Sequence, residues 1–198
     1  NLQFIHDRLP ADRRGRVMSI ATDHERTLFF DFLPVDLGDV NGFSTRFHLY
    51  TVPGQVYYRL SRRAVLTGAD GLVFVADSHP ARERANRDAL DDLDAQLESL
   101  GMSPAHAARI PRVFQYNKRD LRAALPIERL RAMLNPRGAP EIEAVASEGR
   151  GVGETLKAGC KAVLARISGA TSAAGTAAGA AQASSAAEAS SAGQAAGA

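Results

Sequence analysis

A single cysteine, Cys160, leaves no partner for an internal disulfide, which suits a reducing cytosol; a small apolar packing role is the simplest one open to it. No apolar run approaches the roughly 18 residues that a membrane span needs. The first residues also lack the basic, then apolar, then small-residue order of a secretory signal. Excess charge is scarce: 24 Lys and Arg against 22 Asp and Glu leave +2, a narrow surplus that makes no face for nucleic acid. Arg13-Arg14-Arg16 and Arg59, Arg62 and Arg63 are short clusters of the kind that stay solvated or meet protein. The histidines (His6, His24, His48, His79 and His106) show no ligand spacing, and neither H-E-x-x-H nor G-x-S-x-G occurs, so zinc-enzyme and serine-hydrolase chemistry has no support.

What is present suffices for one ordinary core: 198 residues, 45% hydrophobic and 23% charged. The chain opens on Asn1 rather than methionine, and Leu2, Phe4, Ile5 and Leu9 read as the middle of an amphipathic helix closed by Pro10, as in a fragment. Two β-rich runs, Thr27 to Leu37 and Ser44 to Val52, flank Gly38-Asp39-Val40-Asn41-Gly42, which suits a hairpin turn. Strands are then expected at Leu72 to Ala76, Arg112 to Tyr116 and Glu141 to Ala146. Helices are expected at about Val56 to Leu66, Ala85 to Leu100, Pro126 to Leu134 and Gly151 to Ile167. This alternation predicts an α/β fold with a mixed, mostly parallel sheet and helices on both faces. Residues 169–198 are almost all Ala, Gly and Ser and read as a flexible tail after a domain spanning 1–168.

The most specific motif is Asn117-Lys118-Arg119-Asp120, directly after the strand Val113 to Tyr116. Strand carboxyl ends are where such sheets present ligand groups. The Asp120 carboxylate can accept from N1–H and the exocyclic amine of guanine, a pairing adenine cannot supply. Lys118 can lay its stem along the base, and Asn117 can brace the loop and meet the purine edge. A solvated charged turn is the competing reading. One strand further on, Glu143-Ala144-Val145-Ala146-Ser147 puts the small Ala146 where a backbone N–H could approach the guanine O6, though a buried alanine would look the same. Thr51-Val52-Pro53-Gly54-Gln55 could be a Pro-Gly turn, or it could offer the Gly54 N–H to a γ-phosphate and Gln55 to the attacking water. Arg26-Thr27 sits in the loop before the first β-run. Thr27 can offer its hydroxyl to Mg2+ and its N–H to the γ-phosphate. Arg26 is either a surface arginine paired with Glu25 or Asp23, or an arginine finger in cis.

The run Ala21 to Pro34 (ATDHERTLFFDFLP) and the run Thr45 to Gln55 (TRFHLYTVPGQ) resemble the MglA family of bacterial polarity GTPases. So do Gly71 to Asp77 and Gln115 to Asp120. The resemblance reaches about Arg166 and implies a Ras-like, P-loop small-GTPase fold. It implies a switch that binds GTP or GDP with Mg2+, hydrolyses GTP and controls polarity and gliding motility. Implied partners are a Roadblock-type activator resembling MglB and motility effectors; the implied location is the cytoplasm, with recruitment to a cell pole. Thr51, where most Ras-like proteins carry aspartate, is the family's own variant. The family's first strand and G-x-x-x-x-G-K-[ST] loop occur nowhere in these residues. They are expected just before Asn1, with the strand lying between those ending at Thr51 and Ala76. For these residues alone the expectation is therefore weak or absent GTP binding and an inactive chain. A nucleotide-free scaffold and an Arf-like trafficking GTPase remain alternatives.

Overall fold

In the computed structural model, residues 1–21, 29–40, 42–54, 58–101 and 110–168 are described. Arg26, Thr27 and Gln55, and the whole of 169–198, lie outside the described residues. Helix α1 (Leu2–Arg8) stops because the residue before Pro10 is pushed out of helical geometry, and Leu9 is extended with ψ 142°. Strands β1 (Met18–Ala21), β2 (Phe29–Val40) and β3 (Phe43–Thr51) follow. After them come α2 (Arg59–Leu66), β4 (Leu72–Asp77), α3 (Glu83–Ser99) and β5 (Arg112–Asn117). The last elements are α4 (Ile127–Leu134), β6 (Glu141–Glu143) and a helix α5 over residues 152–168.

Two differences from the sequence reading concern strand ends. β2 runs past Leu37 to Val40 because a bulge between Asp36 and Gly38, with Gly38 at φ 71°, absorbs a change of register instead of ending the strand. β6 ends at Glu143 rather than at residue 146. Beyond it Val145 bridges Arg150 in an antiparallel sense, closing the 145–150 turn.

The strands form two three-stranded sheets, β1-β2-β3 antiparallel and β4-β5-β6 parallel. Among the described residues the expected mixed, mostly parallel sheet is seen in part: two pairings are parallel and two antiparallel, and no ladder joins β3 to β4. No described strand stands between them to satisfy those two edges, each a row of backbone donors and acceptors. Helix α1 touches both sheets. Its Leu2 packs on the buried Leu33 and Val35 of β2, while Asn1 and Gln115 of β5 exchange amide hydrogen bonds of 2.9 and 3.2 Å.

β5 is buried at every position from Val113 to Tyr116, as suits a parallel strand covered on both faces. On one face Phe114 and Tyr116 join Leu90, Leu125, Leu130 and Leu134 beneath α3 and α4. α5 lies over β4, close enough that a Cβ on Gly71 would meet Val163 at 2.4 Å. β6 is fixed to this layer by one carboxylate: Glu141 accepts from Arg131, from Tyr116 Oη at 3.0 Å and from Asn135 Nδ2 at 3.3 Å. The Arg131 guanidinium is the main cause that holds the Glu141 carboxyl below its ordinary range, against the opposing effect of burial.

Candidate functional site

β4 and β5 run parallel with Asp77 opposite Asn117, so their carboxyl ends open together at one edge of the sheet. The Asn117-Lys118-Arg119-Asp120 loop that follows is braced at almost every residue. Asn117 Oδ1 accepts from the Ala146 N–H at 2.9 Å, joining the two motifs that the sequence placed 29 residues apart. Asn117 Nδ2 has no partner among the described residues. The Ala146 N–H, for which guanine O6 was the expected acceptor, is thereby engaged by Asn117, because the closed 145–150 turn carries it over the end of β5. Arg119 donates through Nε to Glu143 at 3.0 Å and through Nη1 to the Leu125 carbonyl at 2.6 Å, and its N–H reaches the Ala144 carbonyl at 3.1 Å.

Lys118 is the only non-glycine at positive φ (63°) among the described residues. A lysine held there costs about 1–3 kcal/mol, so the surroundings must impose it. They do so partly through Asp77, whose carboxylate lies 2.7 Å from Lys118 Nζ. Burial pushes the Asp77 carboxyl up, but the Lys118 ammonium and the His79 N–H outweigh it and leave it below its ordinary value. The ammonium is therefore paired while the side chain stays largely exposed. Asp77 is itself held by Asn86 of α3, a buried side chain that accepts from the Asp77 N–H at 3.1 Å and donates to its carbonyl at 2.8 Å. Neither Asp77 nor Asn86 stands out in the sequence as a site residue. The available signal was a carboxylate ending the neighbouring parallel strand.

With Asn117, Lys118 and Arg119 committed to holding the loop, Asp120 differs. Its carboxylate is exposed and makes no hydrogen bond or ion pair with the described residues. The loop is prepared around one free acceptor pair.

At the end of β3, Thr51 Oγ1 donates to Asp31 Oδ2 at 3.1 Å, and Ser19 Oγ donates to Asp31 Oδ1 at 2.6 Å. The three residues are cross-strand partners in one row, Ser19 opposite Asp31 opposite Thr51. Asp31 shares the inner face of β2 with Leu33 and Val35, two and four residues on, because side chains alternate along a strand. A carboxylate thus does stand beside Thr51, supplied by the next strand. Gly54 follows, exposed, and a Cβ added there would meet no atom within 4 Å, so packing among the described atoms does not require glycine. No three His, Cys, Asp or Glu side chains cluster as a metal site among the described residues. Cys160, half-buried in α5, has its thiol pushed up by burial and is poorly nucleophilic.

A parallel sheet with a braced loop at its strand ends, together with an antiparallel hairpin ending in Thr51-Val52-Pro53-Gly54, is the layout of the Ras-like small-GTPase class. No family model matches the chain. It is 50% identical over 167 residues to the mutual gliding-motility protein MglA of Myxococcus xanthus (strain DK1622), covering 84% of each. The chain belongs to the MglA family of gliding-motility small GTPases.

Proposed function

We propose that this protein is a GTP-hydrolysing switch of gliding motility and cell polarity, with Asp120 selecting guanine. The observation that carries this reading is the braced loop in which, among the described residues, the Asp120 carboxylate and Asn117 Nδ2 are left unengaged. Asp120 accepts from N1–H and the 2-amino group, Asn117 Nδ2 donates to the purine edge, Lys118 covers the base with its stem, and Ala146 brings its loop to the O6 side. On the phosphate side the Gly54 N–H reads the γ-phosphate, Thr27 closes the loop on it and Gln55 orients the attacking water. Arg26 neutralises the charge that develops on the phosphates, a contribution of about 10³–10⁵ in rate.

The donors suit Mg2+, a hard cation that takes one or two protein oxygens beside phosphate and water. Thr27 would supply a hydroxyl, and Asp31, fixed by Ser19 and Thr51, is the carboxylate beside the end of β3. The chemistry that Mg2+ would supply there is an offset of the phosphates' negative charge. The phosphate-cradling G-x-x-x-x-G-K-[ST] loop is not among the 198 residues, and the open edges of β3 and β4 are where its strand would pair. The outer face of β1-β2-β3 exposes Met18, Ile20 and Tyr50 (40–47%) beside Phe30 and Phe32, an apolar surface fit for a Roadblock-type activator or effectors. Residues 1–168 form the switch, and 169–198 serve as a spacer. No helix among the described residues is long and apolar enough to cross a membrane, in keeping with work in the cytoplasm and recruitment to a pole.

The test is the nucleotide content of the purified full-length protein by HPLC. Guanine nucleotide near one equivalent is expected. A protein that carries none, and takes up none with Mg2+, contradicts the switch and favours a nucleotide-free scaffold.

A further inference from the structure

We propose that Arg62 is the positioning residue that aims the Gly54 N–H, a role that rests on the GTPase reading above. Arg62 lies on α2 with its side chain only 10% exposed. A guanidinium so buried needs matched acceptors. Nη1 donates to the Pro53 carbonyl at 2.9 Å and Nη2 to Asp92 Oδ2 at 2.8 Å. Asp92, on α3, also accepts from the buried Gln96 and lies 3.5 Å from Arg59 Nε. Helix α3 thus fixes a carboxylate, the carboxylate fixes a guanidinium, and the guanidinium grips one backbone oxygen of the phosphate-reading loop.

That oxygen shares a peptide plane with the Gly54 N–H. None of the described peptide bonds is cis, and in a planar trans peptide the C=O and the following N–H point in opposite directions. With the Pro53 oxygen turned to Arg62, the Gly54 N–H is turned away from it and cannot swing round without breaking a charge-assisted hydrogen bond. Glycine would otherwise leave this plane the freest in the loop, and among the described residues no atom lies within 4 Å of where a Gly54 Cβ would stand. Lysine cannot substitute, because one ammonium on a flexible stem does not reproduce the rigid fork that spans the two acceptors. GDP lacks the γ-phosphate, so Arg62 acts on GTP binding and leaves GDP binding nearly unchanged.

The test compares Arg62→Lys and Asp92→Asn with the wild type in the full-length protein. It measures binding of fluorescent GDP and of a non-hydrolysable GTP analogue, together with amide exchange of the Pro53–Gly54 segment. In Arg62→Lys the analogue is expected to bind about tenfold more weakly, while GDP affinity stays within about twofold. Asp92→Asn gives the same pattern with a smaller loss, and carries the test if Arg62→Lys does not fold. Exchange quickens in both variants. Equal weakening of GDP and analogue, or unchanged binding of the analogue, overturns the proposal. A wild type that binds neither nucleotide overturns the GTPase reading, and the role of Arg62 with it, so the wild-type control tells the two failures apart.

Discussion

Lys118 offers a sharp test of how the Asn117-Lys118-Arg119-Asp120 loop is held, because its backbone sits at φ 63° where only glycine is at ease. Lys118→Ala and Lys118→Gly both remove the 2.7 Å contact with Asp77, so the difference between them cancels that pair. Alanine keeps a Cβ in the left-handed region, at a cost of about 1–2 kcal/mol. Glycine escapes it but gives up about 0.5–1 kcal/mol more backbone entropy on folding. The glycine variant should therefore be the more stable by about 0.5–1 kcal/mol, reversing the usual order of the two residues. For a chain of this size that is a Tm gap of about 1–4 °C. Thermal unfolding of the two variants in one buffer, followed by circular dichroism, measures it. An alanine variant as stable as the glycine variant would mean that the fold does not impose the left-handed conformation, and the case for a strained, functional Lys118 would fall.

Glu141→Gln should cost about 1–2 kcal/mol at neutral pH by weakening the Arg131 contact on a largely buried carboxylate. Because the folded state holds this carboxyl below its unfolded value, the stabilisation is complete above that unfolded value and is lost as pH falls through the folded one. The Tm gap between wild type and variant should therefore narrow on acidification below about pH 4; a constant gap refutes the assignment. Asp31→Asn should raise the Mg2+ concentration needed to retain GTP by about 10–100-fold while GDP-bound folding is preserved. A magnesium titration of nucleotide release that is identical in wild type and variant removes Asp31 from the metal's surroundings.

The strongest local signals were legible in the sequence because each rests on contiguous residues. The strand from Val113 to Tyr116 and the charged loop directly after it stand where expected, whereas the strand expected to reach Ala146 ends at Glu143. What could not be read was pairing across the fold. Asp77 meets Lys118 from 41 residues away, and Arg62 meets Asp92 from 30. β1 escaped notice because it has four residues, of which Met18 and Ile20 face outward, so no buried stripe announces it. Its existence depends on β2. The split into two sheets falls where the absent first strand is expected, between the strands ending at Thr51 and Ala76, although alternation of strands and helices by itself does not say which edges will be filled. Arg26, Thr27 and Gln55 carry the hydrolytic part of the account from sequence and family resemblance, being outside the described residues.

The central claim, that the free carboxylate of Asp120 reads guanine, is tested most directly by Asp120→Asn in the full-length protein. An amide in that place accepts from N1–H but donates where the carboxylate accepted, which suits the C2 carbonyl of xanthine and opposes the 2-amino group of guanine. Competition binding should show GDP weakened by about tenfold or more and XDP strengthened by a similar factor. A variant that still prefers GDP as the wild type does would contradict the account.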